Sequence, residues 1–481
     1  MSIAFLISTL YGVAVLITCL RIILDSNTPS KSLAYLLLVL VFPLFGIIFY
    51  FAVGSNYRKH KLYNKKIVID KQSYPELEEQ ISTYSTNALR RQEKDLKHFY
   101  PLASLFKHKQ YAFHNNQVRL LINGESKFPE VIQSLAAAKK HIHLEYYIYE
   151  NDEIGQAIAE LLMEKANQGV KVRMIYDDFG SRGIKRNLVK RLIDAGVEVY
   201  PFYKIHFPLF ANRLNYRNHR KIVVIDGDVG FIGGINVSDN YINRSSDRLF
   251  WRDTHLKISG AAVLSLQYTF LTDWNFCSGQ GLSFSEEFFP RPTSEGFGEG
   301  HYVQVISSGP DSDYPNILYS LIQMIALAKT EVNITNPYFI PDRTFLDALK
   351  VAALRGVRIR LLVPGVSDSW FVNSTSQSYF REMLEVGVEI FRYQKGFVHA
   401  KTLVCDKQVS VVGTANLDNR SFELNFETNA IIYSPSVAAE VQSAFDRDLD
   451  HSQQILLEDW KERPGYLTLI EKFLQLFAPL M

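Results

Sequence analysis

Cysteine is scarce: Cys19, Cys277 and Cys405 are the three in 481 residues, one lies inside an apolar run, and no two have the spacing of a metal knuckle or a redox pair. A disulfide framework and a cysteine-based zinc site are excluded. A surplus of one charge is missing as well, since 52 Lys and Arg stand against 50 Asp and Glu. A chain that coats nucleic acid by general electrostatics needs a broad basic surface, so any polyanion site here is local. The low hydrophobicity of a disordered chain is also absent: 47% of residues are apolar and 21% charged, a composition that builds a core. The length suits about three domains, or a membrane anchor joined to a two-part body.

Charged side chains are missing altogether from 1–20 and from 32–57. About 20 apolar residues cross a bilayer, which predicts transmembrane helices at about 2–24 and 33–53, with Pro43 tolerated as a kink. The first basic residue, Arg21, follows the apolar run instead of preceding it. That is the reverse of a cleaved signal peptide, so the segment reads as an uncleaved anchor over 1–57. The connector holds Arg21, Asp25 and Lys31, whereas 58–71 holds Arg58, Lys59, Lys61, Lys65, Lys66 and Lys71. The positive-inside bias then places both chain ends and the body in the cytoplasm, with the basic segment 58–114 able to hold anionic lipid headgroups.

Beyond this segment, β-branched runs alternate with amphipathic stretches, an α/β pattern. The body is one unit written twice. HIHLEYYIY from His141 matches EVNITNPYFI from Glu331, and NQGVKVRMIYDDFGS from Asn167 matches LRGVRIRLLVPGVSD from Leu354. LIDAGVEVYPF from Leu192 matches MLEVGVEIFRY from Met383, and NHRKIVVIDGDVGFIGGIN from Asn218 matches VHAKTLVCDKQVSVVGTAN from Val398. Four blocks in one order, offset by 180 to 191 positions, identify an internal duplication. The halves are read as 115–280 and 301–450, with a Gly-, Ser- and Pro-containing linker at 281–300 and a helical segment at 451–481.

The last block carries the same polar residues in each half: His219, Lys221 and Asp226 in H-x-K-x4-D, repeated as His399, Lys401 and Asp406. On a strand the His and Lys of each copy point to one face. They occur where a buried strand would place apolar residues. Two imidazoles and two ammonium groups, with Asn236 and Asn416 in the turns GGIN and GTAN, make a cationic site rich in hydrogen-bond donors, which suits a phosphate. One neutral imidazole can attack phosphorus while the other, protonated, supplies the leaving alkoxide with its proton. No carboxylate cluster or His-rich ligand set accompanies them, so no metal or other cofactor is expected.

The duplicated H-x-K-x4-D followed by G-G/T-x-N resembles the phospholipase D superfamily, and NYRNHRKIVVIDGDVGFIGGINVSDNY with NLDNRSFELNFE is similar to bacterial cardiolipin synthases. The resemblance covers about 115–450. It implies two tandem phospholipase D-like α/β/α sandwich halves around one active site and transfer of a phosphatidyl group through a phosphohistidine. It casts His219 and His399 as nucleophile and general acid/base, with His219 the nucleophile, and makes Lys221, Lys401, Asn236 and Asn416 phosphate ligands. It also implies an acid behind each histidine, Glu427 in the second half and Asp253 in the first. Asp226 and Asp406 complete the motif, though their simplest role is in the turn after the strand.

The expected reaction joins two phosphatidylglycerol molecules into cardiolipin with loss of glycerol. A phospholipase D or nucleic-acid phosphodiesterase with water as acceptor is the alternative enzyme, and a lipid-binding protein without turnover is the alternative class. Two apolar spans and balanced charge favour anionic membrane lipid over nucleic acid as partner. The aromatic and basic run 200–217 suggests a membrane-contacting loop through Phe202, Phe207 and Phe210.

Overall fold

The structure, a computed structural model, describes residues 3–25, 29–51, 97–106, 110–203, 216–244, 249–283, 285–290 and 300–481. Helix α1, Ile3–Asp25, holds a 20-residue run of mean hydropathy 2.1 over Phe5–Leu24. Among the described residues it is the helix long and apolar enough to cross a membrane. The second apolar run departs from the single spanning helix expected at 33–53. It forms α2, Pro29–Val41, and α3, Pro43–Phe49, divided at Phe42, whose φ of −128° and ψ of 71° are non-helical, as the residue before a proline prefers. The ring centroids of Tyr35 and Tyr50 lie 5.5 Å apart; in one straight helix about 22 Å would separate these positions. Gly46 permits the return, because a Cβ there would come within 2.6 Å of the Leu38 and Val39 backbone. Arg21 lies 5.9 Å over the Phe51 ring, so the chain comes back to the end of α1 that it left.

The body is built on a 15-stranded sheet. The first half contributes β1 (Ala112–Ile122), β2 (His141–Tyr146), β3 (Lys171–Tyr176), β4 (Glu198–Pro201), β5 (Lys221–Ile225), β6 (Val229–Gly233), β7 (Phe250–Arg252) and β8 (Thr254–Ser259). The second contributes β9 (His301–Ser308), β10 (Glu331–Thr335), β11 (Phe339–Ile340), β12 (Arg358–Pro364), β13 (Glu389–Tyr393), β14 (Gly396–Val398), β15 (Thr402–Cys405), β16 (Val409–Gly413), β17 (Leu417–Asp418), β18 (Glu427–Tyr433) and β19 (Ser452–Ile455); β7 with β14 and β11 with β17 form separate two-stranded sheets, and the other fifteen strands make the large one. From the centre outward the first half runs β1-β8-β6-β5-β2-β3-β4 and the second β9-β18-β16-β15-β10-β12-β13, the same order, joined by the antiparallel pair β1–β9. In each half the three outer strands are parallel and the rest antiparallel.

Apolar residues on both faces of the strands explain the layers. Val223 and Ile225 join one cluster under helices Asn123–Ala136 and Glu153–Asn167, while Ile222 and Val224 join another under helix Val263–Ser278. Full burial of each such side chain contributes about 1.5–3 kcal/mol. The second cluster also takes in Val303, Val305, Val404, Ala430 and Ile432, so one core layer passes through both halves. Two expectations change here. The presumed linker buries Phe288 and Phe289 against Trp274, and the segment after 450 begins with β19, which extends the sheet beside β13 before turning helical.

Candidate active site

Each motif histidine is held by backbone from the opposite half. The His219 N–H donates to the Phe426 carbonyl (2.9 Å), and the Phe426 N–H donates to Arg217 O (2.8 Å). The second half repeats the arrangement: β14 pairs in parallel with β7, and the His399 N–H donates to Arg252 O (2.7 Å). The residue following each carbonyl is an acid, so the exchange sets that acid opposite the histidine. His219 Nδ1 lies 2.9 Å from Glu427 Oε2, and His399 Nδ1 lies 2.7 Å from Asp253 Oδ2, with both carboxylates fully buried. The acids named from sequence are therefore the partners, but the assignment within halves is corrected: the pairs cross. A carboxylate at Nδ1 fixes the tautomer and leaves each Nε2 for chemistry.

The two acids are held differently. Glu427 accepts the Thr414 hydroxyl at Oε2 and the Asn425 amide at Oε1. At the place of Thr414 the first half has Gly234, where a Cβ would come within 2.2 Å of Asp253 Oδ1, and Asp253 accepts its bond from the Thr254 N–H (2.7 Å). The shorter acid thus fits where the side chain is missing, and the longer acid reaches a hydroxyl.

Lys221 and Lys401 are buried, and each Nζ donates to the carbonyl of its own motif histidine. Burial lowers Lys221 to about 7 and Lys401 to about 8. Burial and the two lysines lower His219 well below the ordinary range, and burial with Lys401 lowers His399 to about 4. Both shifts favour the neutral imidazole. Burial raises Glu427 to about 7 against the pull of Lys221. Asp253 behaves oppositely: burial favours its neutral form, but Lys401 and the His399 ring outweigh that and hold it below the usual carboxylate range.

Asp226 and Asp406 stand away from this pocket, and their place in a catalytic set is corrected. Seven extended residues, about 20 Å, separate each from its histidine. Asp226 accepts the backbone N–H groups of Lys139, Lys140 and His141, and Asp406 those of Lys329, Thr330 and Glu331. With φ of 54° and 51° they occupy left-handed turn positions. Each ties the end of its motif strand to the start of β2 or β10. The Asn236 amide is also engaged, taking the Ile148 N–H and donating to the Tyr241 hydroxyl, whereas the buried Oδ1 of Asn416 has no hydrogen-bond partner.

Several site residues escaped the sequence reading. Tyr147 stands edge-on to His219 at 4.8 Å, and Trp251 and Phe397 flank His399 at 5.6 Å each. Beneath His219, Asn218 donates to Glu145 and Arg220 to Asp273, all buried. Lys127 is enclosed under the GGIN turn, where Nζ donates to Ile235 O at 2.9 Å. Adjacency to Asp253 or to the motif would have flagged Trp251 and Phe397; the others are assembled by tertiary contact. Phe202, expected to touch the membrane, is instead 2% exposed and packs edge-on to Phe426 at 4.7 Å, so its aromatic character serves the core. Phe207, Phe210 and the basic cluster 58–71 lie outside the described residues.

A duplicated half-site with crossed histidine–acid pairs in one cationic pocket defines a phospholipase D-type protein. Its fold is similar to that of phosphatidylserine synthase from Haemophilus influenzae, with TM-score 0.56 and 16% identity over 75% of this chain and 93% of that one. Residues 131–274 and 321–449 match the family described as cardiolipin synthase, PLD-like domain, and residues 13–55 match phospholipase D-nuclease N-terminal. Cardiolipin synthase of Halalkalibacterium halodurans is 39% identical over 98% of this chain and 93% of its own, and cardiolipin synthase 2 of Bacillus anthracis is 39% identical over 97% and 90%. The chain belongs to the cardiolipin synthase family. Together with α1, that membership associates it with a membrane.

Proposed function

We propose that the chain transfers a phosphatidyl group from one phosphatidylglycerol to the terminal hydroxyl of a second, forming cardiolipin and releasing glycerol. The observation that carries this reading is the crossed pair of Nδ1-anchored imidazoles in one pocket with Lys221 and Lys401. His219 Nε2 attacks phosphorus and the bond to glycerol oxygen breaks, while His399 Nε2, protonated when the anionic diester is bound, gives its proton to the departing alkoxide. The acceptor hydroxyl then returns a proton to His399 as its oxygen displaces His219. A carboxylate held below its usual range at Asp253 favours an imidazolium at His399, and Glu427 gives less such support to His219, which supports His399 as the acid and His219 as the nucleophile. Lys221, Lys401 and Asn416 receive the nonbridging oxygens as charge develops, and the diester's charge restores the lysine protons that burial displaces.

The catalytic halves are taken as 115–280 and 301–450. We read the body as lying on the cytoplasmic face: the return of Phe51 to Arg21 supports a body on the side of the connector, and Arg58, Lys59, Lys61, Lys65, Lys66 and Lys71 favour that side as inside, which leaves the N-terminus on the opposite side and not beside the body as the two-span expectation had it. In this arrangement α1 crosses and α2–α3 folds back against it. The apolar face of helix Gly465–Gln475, with Leu469 72% and Phe473 58% exposed, supports close approach of the body to the leaflet. Incubating the purified chain with phosphatidylglycerol labelled in the phosphatidyl part tests the reaction. Cardiolipin with equimolar glycerol is expected; phosphatidic acid as the main product would overturn transfer in favour of hydrolysis.

A further inference from the structure

The two halves share one plan at the reacting centre and part company at its rim. Phe179, in the turn after β3, carries two guanidinium groups, Arg182 at 4.0 Å and Arg217 at 4.2 Å from its ring centroid. Arg420 approaches from helix Asn419–Glu423, brought there by the exchange that joins Phe426 to Arg217, and with Arg182 it disfavours the charge on Arg217 beyond the effect of burial. The nearby acids are engaged: Asp177 accepts the backbone N–H groups of Phe179, Gly180 and Asn218, Asp178 pairs with Lys185 at 2.6 Å, and Asp418 caps its own helix through Ser421. The counterparts of Arg182 and Arg217 in the second half are Ser369 and Phe397, the counterpart of Arg420 in the first half is Asn240, and the rim beside His399 carries Asp368, bonded to Tyr338. Among the described residues, the guanidinium cluster therefore stands on the His219 side of the site and has no counterpart on the His399 side.

We propose that Arg182 and Arg217, with Arg420 beside them, form a second anion subsite that holds the phosphodiester of the acceptor lipid. This rests on the reading that the acceptor is itself a phospholipid. One aromatic ring separates the cluster from the nucleophile, since Gly180 packs on Tyr147 and Tyr147 packs on His219. The two phosphates of the product are joined through only three carbons, so an acceptor whose hydroxyl reaches phosphorus must place its own phosphate close beside the first. The donor's single phosphate is accounted for by the lysines, which leaves the arginines for the other. Guanidinium groups bind phosphate oxygens in bidentate fashion, and stacking on Phe179 holds their planes in place. A symmetric fold serving two molecules of one lipid in unequal roles needs its asymmetry somewhere, and the rim supplies it.

The same chemistry would also suit a nonreacting anionic lipid at the bilayer surface, and a soluble acceptor separates the two. Purified full-length protein is given labelled phosphatidylglycerol as donor, with either glycerol or glycerophosphoglycerol as acceptor. The readout is the ratio of transfer to the phosphate-bearing acceptor over transfer to glycerol. Wild type is expected to prefer glycerophosphoglycerol, and R182Q, an exposed position where folding is not at stake, to reduce that preference about tenfold, the worth of one charge-assisted contact. R182K should restore part of it, and R217Q should act in the same direction. An unchanged ratio in R182Q, or a loss seen on vesicles but not with the soluble acceptor, would overturn the subsite. Absence of cardiolipin from the wild-type reaction would instead refute the function on which it rests.

Discussion

His219 and His399 occupy equivalent places in a duplicated fold and share a buried lysine at the same spacing, yet the acids and the rim around them diverge. His399 faces an ionised Asp253 in a setting of Trp251, Phe397 and Asp368; His219 faces a Glu427 poised at about 7, with guanidinium groups above it. Backbone geometry has stayed symmetric while side-chain electrostatics have not. The contrast teaches that the scaffold fixes where the two imidazoles stand, and in the proposed mechanism the residues one layer out decide which attacks and which protonates.

The harshest way to break the symmetry is to delete one imidazole at a time. His219→Ala and His399→Ala are each expected to reduce cardiolipin formation at least about 10³-fold, because the two act as one unit. They should differ with a donor carrying a good leaving group, which needs no acid: the His399 variant accumulates phosphoenzyme and the His219 variant does not. Label recovered in the His219 variant would reverse the roles. A milder cut is at the acids. Asp253→Asn is expected to cost on the order of 10³-fold in turnover, since it removes the support of an imidazolium, and Glu427→Gln about tenfold less. Equal losses, measured as kcat at saturating lipid, would remove the electrostatic distinction between the halves.

Asp226 and Asp406 sharpen the comparison from the other side, because here the halves are alike. Asp226→Ala or Asp406→Ala should lower stability by roughly 2 kcal/mol through loss of the carboxylate that accepts three backbone N–H groups, with activity per folded molecule within about threefold of wild type. Turnover lost without a fall in thermal midpoint would return them to the catalytic set. The lysines predict a pH effect. Between about pH 7 and 10 the unfolded chain holds protons at Lys221 and Lys401 that the folded chain has released, so stability from these groups rises with pH across that window. Thermal midpoints from pH 7 to 9 should show this rise, and the Lys221→Met/Lys401→Met double variant should flatten it. The smallest expected effect is that of a chelator: turnover in EDTA should match the untreated enzyme, and loss restored by one specific divalent ion would contradict a metal-independent mechanism.

What the sequence displays and what it conceals divide along physical lines. His219–Lys221 and His399–Lys401 were legible because polar residues interrupt strands otherwise apolar on both faces, and because the interruption occurs twice. The duplication of the body was legible because four blocks recur in one order, while the order of strands in the sheet was not. Crossing of the acid pairs was not, since it depends on Phe426 and Arg252 presenting carbonyls to the other half, a tertiary exchange with no local signature. Hydropathy identified both apolar runs but not the fold-back at Phe42–Pro43, for which Gly46 had to be seen against Leu38. Phe202 shows the converse failure: aromatics mixed with basic residues suit a membrane surface and a core edge equally well, and burial decided.

The crossed pairs also bear on when the protein becomes active during its own synthesis. His219 emerges early, and its partner Glu427 follows 208 positions later. At about 5–20 residues per second, a ribosome spends roughly 10 to 40 s on such a stretch. Throughout that interval α1 is already made and the first motif is complete, yet its histidine lacks its tautomer-fixing acid and, until shortly before the end, the second imidazole as well. A nascent chain anchored among lipids therefore carries no working half-enzyme, and its first turnover waits until both halves have been synthesised and have exchanged their strands.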